Sequence, residues 1–433
     1  MKRCLLLGNG GREAVMAEYL SKGYILYGVL PYENPSIVEY IEKSGGKYLV
    51  GNPFDKELVR KFIRENRIEV CVISSDNLLR DGLIDLAREE GLQTFGATTQ
   101  GSKIEWSKTY GIDIVEKLAP DMIIKNYVVT DEDNLREIIN TYEKDEFVVK
   151  PEGLTGGKGV KVGGIHFKGK EEGFEYALTC LRDAGKVIVQ DKVEGEEFTV
   201  MALTDGKNIV TLPITFDYPY RFDEDKGPGT GGMGTLSFEN GLLPFLNESD
   251  VTICSRLIKD MIAYINKNSL EYNGAIYGGF FKCENGIKFI EFNSRFGDPE
   301  ALNVLNALDT PFTDVVEHII NGTLSEENCR FKNDCTFTVY VVSKDYAIRE
   351  NKEPCIFNVN TNAIKEKGAK IYFANAKNIE GDTYTSVSNS RLFAIVTIDK
   401  TLEAARAKAY VAMEGNVDVK LDYRKDIGKI YKH

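Results

Sequence analysis

The chain has no excess of basic residues: 54 Lys and Arg stand against 66 Asp and Glu, for a formal net charge of −12. It therefore has no cation surplus to neutralise a nucleic-acid backbone or an anionic bilayer, and neither partner is expected. No CxxC pair occurs among the eight cysteines, which excludes a metal knuckle or a disulfide framework. Scattered thiols of this kind are reduced and act as small core residues. Long apolar stretches are missing as well. Cys4-Leu5-Leu6-Leu7 is too short for a membrane span or a signal sequence and runs into glycines, so a cytoplasmic protein is expected. No repeat or low-complexity tract interrupts the sequence. With 42% hydrophobic and 28% charged residues the composition is globular, and 433 residues leave room for roughly two to four domains.

Three segments carry chemistry. In Lys288-Phe289-Ile290-Glu291-Phe292-Asn293 strand alternation turns Glu291 and Asn293 to one face. A carboxylate and an amide oxygen side by side suit a Mg²⁺ ion that keeps its other positions for water and phosphates. Arg295 follows as a bidentate anion clamp. The second segment, Val148 to Val162, reads as strand, glycine-rich loop, strand. Gly153, Gly156, Gly157 and Gly159 let a backbone approach a phosphate, with Lys150 and Lys158 as point charges on either side. It is not a Walker A loop, because Gly159 and a strand follow the Gly-Lys pair. The third segment is the N-terminus: a buried strand, Arg3 to Leu7, then Gly8-Asn9-Gly10-Gly11-Arg12-Glu13 and a helix. This opens a βαβ unit with a helix N-terminus facing an anion. The dinucleotide fingerprint is incomplete, and no ribose-binding acid follows the second strand, Tyr24 to Leu30.

Alternation continues through helix Lys56–Glu65, strand Glu69–Ile73, helix Gly82–Glu90 and strand Gln93–Phe95. It predicts a small doubly wound parallel sheet ending near residue 100, with Ser74 to Asp81 at a strand's carboxyl end where ligands sit. Later strands and helices flank the glycine loop. Glu196-Glu197 is either solvated surface or a catch for ribose hydroxyls. Asp223 to Gly234, too glycine-rich for a core element, reads as a ligand-covering loop.

With these segments, and with Gly-Gly-Met-Gly at 231–234, Phe-Gly-Asp-Pro-Glu at 296–300 and the tail Arg424-Lys425-Asp426-Ile427-Gly428, the chain resembles the ATP-grasp enzymes. Within them it is similar, end to end, to the glycinamide ribonucleotide synthetase family. The resemblance implies an α/β protein: an N-terminal doubly wound domain (1–103), a connecting segment (104–121), a mobile B-domain (122–190), a central ATP-grasp domain (191–328) and a small α+β C-terminal domain (329–433). It implies ATP, Mg²⁺ (with Mn²⁺ as a substitute), an amino acid and an amine as small-molecule partners, and a monomer or homodimer. The implied reaction turns a carboxylate into an acyl phosphate, which an amine then displaces.

Residue by residue, Lys150, Lys158 and Arg295 match catalytic positions. Lys108, Gly156, Gly157, Gln190, Asp191, Val193 and Glu197 match the nucleotide site. Glu291 and Asn293 match the metal ligands. Gly10, Gly11 and Arg12 would meet the amine substrate, Asp76 lies in the loop after strand Glu69–Ile73, and Asp217 with Arg295 would grip the amino acid.

Four departures stand out: Ala14 replaces a family histidine, Tyr218 follows Asp217 where histidine is usual, Asp76 replaces glutamate, and Ile112 replaces a helix lysine. They leave open a paralogous ligase with other substrates. His166, His318 and His433 lie outside the motifs and are expected at the surface or in packing. Ser390-Arg391 aligns with a family Gly-Arg turn that would bring Arg391 toward substrate, with surface salt-bridging the expected role. A non-catalytic nucleotide binder would lose the metal ligands, and an oxidoreductase would need the N-terminal glycines for a nicotinamide cofactor.

Overall fold

Leu5 and Leu7 bury themselves in one apolar cluster while Cys4 and Leu6 enter another, as expected of a strand covered on both faces. This strand, β1 (Arg3–Leu7), is followed by α1 (Gly11–Leu20), β2 (Ile25–Leu30), α2 (Pro35–Lys43), β3 (Tyr48–Val50), α3 (Lys56–Asn66), β4 (Val70–Ile73), α4 (Asp76–Arg80), α5 (Leu83–Glu89) and β5 (Gln93–Phe95). The computed structural model describes residues 1–154, 159–349 and 353–429. All pairings among β1 to β5 are parallel, in the order β3-β2-β1-β4-β5. The order reverses between β1 and β4, so their carboxyl ends, Gly8–Gly11 and Ser74–Asp76, open on the crevice where such sheets bind ligands. The short helix α4 stands where the sequence predicted only a loop.

Two short helices, α6 (Lys103–Trp106) and α7 (Lys108–Leu118), lead to a smaller antiparallel sheet. Its strands are β6 (Asn126–Val129), β7 (Phe147–Pro151), β8 (Lys161–Val162) and β9 (Val187–Asp191), with α8 (Glu132–Thr141) and α9 (Gly169–Ala184) interleaved. Asp131 caps α8 by accepting the Asn134 N–H, which fixes the helix start. The strand order is β6-β9-β7-β8. Phe147, Val149, Val187 and Val189 pack against α8 and α9 in a core of this lobe's own. The alternate residues Val148, Lys150, Ile188 and Gln190 share the other face, because Lys150 pairs with Ile188 and Val148 with Gln190. Gly156, Gly157 and Lys158 lie outside the described residues.

Opposite that face stands a second antiparallel sheet built from β10 (Glu196–Thr204) and β11 (Ile209–Thr211) with two later strands. Between them the chain forms β12 (Phe216–Asp217), β13 (Tyr220–Phe222), β14 (Lys226–Gly229), β15 (Gly234–Ser237) and α10 (Glu248–Lys267). It then returns as β16 (Gly274–Cys283) and β17 (Gly286–Asn293), giving the order β11-β10-β16-β17. Asp223 to Gly234 is only in part a loop. Lys226–Gly229 is one arm of a hairpin with β13, and Gly234 starts a buried strand. Distant charges hold the hairpin: the buried Arg424 donates to Tyr220 O and Asp225, while Asp426 accepts the Glu224 N–H.

Helices α11 (Glu300–Ala307) and α12 (Phe312–Ile320) precede β18 (Cys335–Ser343), which pairs back to β15. The remaining elements are β19 (Ile356–Asn358), α13 (Thr361–Glu366), β20 (Lys370–Phe373), β21 (Ala376–Glu380), β22 (Thr383–Ser386), β23 (Phe393–Asp399), α14 (Leu402–Met413) and β24 (Leu421–Asp422). A sheet ordered β12-β15-β18-β23-β20 thus joins the central and C-terminal segments. Seven of the eight cysteines are buried and Cys355 half-buried, none in a disulfide.

Candidate active site

Cross-strand register builds the site's floor. Thr199, Gly279 and Glu291 form one row across β10, β16 and β17, and Met201, Tyr277 and Asn293 form the next. A bulge between Gly279 and Phe280 shifts the register just before this point, a common way to re-aim strand side chains. Glu291 and Asn293 therefore share a face, as the alternation predicted, and Asn293 Nδ2 lies 3.5 Å from Glu291 Oε1. Among the described residues no three His, Cys, Asp or Glu side chains gather as a closed metal cage. One carboxylate and one amide oxygen fit Mg²⁺, which binds through few protein oxygens and completes its shell with phosphates and water.

Lys150 enters from the facing sheet. It is 5% exposed, and its ammonium points at Ile290 O, 3.5 Å away. Burial lowers its pKa to about 8, and Lys108 adds to the fall, while Glu291 and Glu197 oppose it. Glu197 opens onto the cleft, yet loss of water around its carboxyl and the charge of Glu291 push it up to about 7. Lys150, Glu197 and Glu291 thus feel one another across the cleft. Gln190 is buried on the same face as Lys150, Asp191 accepts from Tyr142 at 2.8 Å, and Val193 is half-buried.

At the base of the glycine loop, Lys108 Nζ donates to Gly153 O at 2.5 Å. Glu152, which sequence reasoning passed over, anchors the loop to the start of α7. Its carboxylate accepts from Ser107 Oγ (2.7 Å) and from Thr109 N and Oγ1 (3.2 Å each), and pairs with Lys186.

The acceptor end is crowded with buried charge. Arg295 donates through Nε to Glu105 (3.1 Å), through Nη2 to Asn293 Oδ1 (3.3 Å) and through Nη1 to Phe296 O (3.1 Å). Burial disfavours its charge, but Glu105, Asp76 and Glu300 more than offset this and raise its pKa. Asp76 is held low against burial by Arg295 and Arg12. Asp217 Oδ1 is buried without a hydrogen-bond partner. Burial and then Glu300 raise the Asp217 carboxyl, and burial raises Glu300 in turn, so the two resist ionising together. An unpartnered carboxylate beside a second acid is a natural seat for an ammonium group.

The N-terminal glycines approach this end from β1. Gly11 has no room for a Cβ beside the Tyr340 hydroxyl, which donates to Asp298 Oδ1 at 2.6 Å. Gly10 N–H is taken by Glu13 at 2.8 Å. The Arg12 guanidinium turns inward, to Glu13 (2.8 Å) and Phe296 O (3.0 Å). Arg391 is not the expected surface residue: it is half-buried between Asp298 (3.3 Å), the carbonyls of Gly231 and Gly232, and the Tyr340 ring.

Of the four departures, three are buried, and Ala14 and Tyr218 join apolar clusters. Ala14 is fully buried, Ile112 is 6% exposed, and Tyr218 is 2% exposed. Tyr218 points away from Asp217 and accepts the Gly428 N–H at 2.9 Å. Only Asp76 faces the site. His166 caps a turn by accepting the Val162 N–H, and His318 meets Thr323 on an exposed turn.

Known proteins resemble this chain along its length. Three family models of phosphoribosylglycinamide synthetase match in order: the N domain over residues 2–105, the ATP-grasp (A) domain over 107–301 and the C domain over 336–430. The phosphoribosylamine–glycine ligase of Pyrococcus abyssi is 34% identical, covering 98% of this chain and 94% of its own. That of Methanococcus maripaludis is 35% identical over 99% and 96%. Among solved structures, the Thermotoga maritima phosphoribosylamine–glycine ligase superposes with a TM-score of 0.79 at 25% identity, covering 98% of this chain and 99% of that one. The biotin carboxylase domain of Hydrogenobacter thermophilus 2-oxoglutarate carboxylase, solved with MgADP and bicarbonate, shares the fold at a TM-score of 0.71 and 16% identity, covering 98% and 91%.

Proposed function

The chain belongs to the phosphoribosylglycinamide synthetase family, and on that premise we propose that it joins glycine to phosphoribosylamine with ATP, an ADP-forming C–N ligation of purine biosynthesis. A carboxylate oxygen of glycine attacks the γ-phosphorus and ADP leaves. The amine nitrogen then attacks the acyl carbon, the C–N bond forms, and phosphate departs with the amine's proton. The observation that carries this reading is the meeting of Lys150 from one sheet with the strand end of the other that bears Glu291 and Asn293, where Lys150 reaches Ile290 O and feels the Glu291 charge. A buried ammonium opposite a metal-binding pair stabilises charge on a transferring phosphoryl group. Mg²⁺ on Glu291 and Asn293 would screen the phosphates.

Gln190, Asp191 and Val193 line the adenine end, Glu197 takes the ribose, and Lys108 with the glycine loop takes the phosphates. Asp217 receives the ammonium of glycine and Arg295 its carboxylate. Gly10, Gly11 and Asp76 border the amine substrate, with Arg12 shaping the wall through Phe296 O. Residues 122–190 act as the mobile lobe, whose closure excludes water from the acyl phosphate. Two departures, Ala14 and Tyr218, pack in apolar clusters, which favours the glycine reaction over a paralogous one. The reading carries with it a cytoplasmic monomer or homodimer; among the described residues no helix is long and apolar enough to cross a membrane.

The test is ADP release by the purified chain with MgATP, glycine and phosphoribosylamine generated in situ, beside a panel of other amino acids and amines. Turnover requiring both named substrates is expected; ADP release with a different pair alone would overturn the assignment.

Nucleotide affinity should also depend on pH. Glu197 is protonated below about 7 and then accepts no ribose hydroxyl hydrogen bond as an anion. Lys150 is neutral above about 8 and then attracts no phosphate. MgADP affinity, titrated at saturating Mg²⁺, is expected to peak between these values and fall on both sides. Glu197→Gln should lose the acidic limb and keep the alkaline one.

A further inference from the structure

Arg295 spends three of its five N–H donors on protein: one on Glu105, one on Asn293 and one on Phe296 O. Two find no partner among the described residues, and the direction they face is set by what holds the guanidinium plane. Glu105 does most of this holding. It sits on the four-residue helix α6, is 6% exposed, and makes three contacts to the end of β17. One oxygen accepts both Ser294 N (2.8 Å) and Ser294 Oγ (2.7 Å), and the other accepts Arg295 Nε (3.1 Å). The same stretch of chain, two to four residues on, holds the base of the glycine loop through Ser107, Lys108 and Thr109. One short segment therefore sets both the phosphate loop and the anion clamp.

We infer that Glu105 is a positioning residue of the ligation: it fixes the plane of Arg295 so that the two free N–H groups meet the carboxylate of the amino-acid substrate. This rests on the reading of Arg295 as the carboxylate clamp. In Glu105→Gln the amide oxygen can keep both Ser294 contacts, but its NH₂ then faces Arg295 Nε–H, donor against donor. The fold is retained and the clamp loses its aim.

Steady-state kinetics on the full chain test this. Glu105→Gln is expected to raise KM for glycine on the order of 100-fold, the scale of misplacing a substrate-positioning group by about 1 Å, with KM for MgATP held within about threefold. Glu105→Asp, which keeps the charge but draws back from Nε, should fall between, and Ser294→Ala should change glycine KM little. Glu105→Gln added to Arg295→Met should cost no more than Arg295→Met alone. If Arg295→Met raises glycine KM while folded Glu105→Gln and Glu105→Asp do not, the inference about Glu105 fails by itself. Parallel rises in both KM values, or a Ser294→Ala effect equal to that of Glu105→Gln, would reduce Glu105 to a structural support. An unchanged glycine KM in Arg295→Met would instead remove the clamp reading beneath it.

Discussion

Glu291→Ala is expected to lower kcat/KM for MgATP on the order of 10³-fold, the scale of losing a main stabiliser of phosphoryl-transfer charge. Glu291 supplies the only carboxylate of the metal-binding pair, and the Asn293 amide carries no charge to replace it. Glu291→Asp, which keeps the charge on a shorter arm, should recover part of the loss and demand more Mg²⁺ for half-maximal rate. A second signature follows from the neighbours. The Glu291 charge does most to keep Lys150 protonated against burial, and it helps hold Glu197 up. Its removal should therefore move both limbs of the nucleotide-affinity profile to lower pH. Magnesium titrations and MgADP affinities across pH check both points; activity within about threefold of the parent would sink the metal assignment.

Lys150→Met is expected to lower kcat on the order of 10²–10³-fold while making the protein more stable. The two effects share one cause. An unfolded lysine keeps its proton to 10.5, the folded Lys150 only to about 8. Below pH 8 both states are charged and the folded one bears the full cost of a buried ammonium. Between 8 and 10.5 the unfolded state binds more protons, so the parent gains stability as pH rises, and above 10.5 the cost is gone. Methionine removes the charge and keeps most of the apolar length, so it should stabilise the fold at pH 7 by roughly 1–3 kcal/mol, with the gain fading above pH 8. Lys150→Arg should not restore the rate, because a planar guanidinium does not fit a buried slot shaped for a single ammonium. Thermal melts at pH 7 and pH 10 with single-turnover assays test this; a destabilised Lys150→Met with near-normal kcat would contradict the argument.

What could be read from the sequence followed local periodicity. A two-residue repeat is enough to pair Glu291 with Asn293, and apolar runs separated by glycine turns are enough to place β1, β4 and the crevice between them. What escaped was set by contacts between distant segments. Glu105 meets Ser294 across 189 residues, and nothing in Lys103-Ile104-Glu105-Trp106 distinguishes a buried anchor from a surface acid. The hairpin at Lys226–Gly229 was hidden by its glycines, whose freedom is cancelled by Arg424 and Asp426 from the tail. Arg391 reads as solvent-facing until Tyr340 and Asp298, both far away in sequence, close over it. Glu300 lay inside a quoted motif, yet its coupling to Asp217 needs the fold to bring α11 beside β12.

The lobe of β6 to β9 keeps Phe147, Val149, Val187 and Val189 in a core with α8 and α9, while its opposite face presents Lys150 and Gln190. Its folding and its recognition are thus written on alternate residues of the same strands. On the proposed assignment, changes on the outward-facing set other than Lys150 would retune the choice of purine base without endangering the inward-facing set. The amine would rest on separate ground, around Gly10, Gly11 and Asp76. Lineages can therefore inherit the energy source and the cargo as independent characters, and an engineer can exchange one while holding the other fixed.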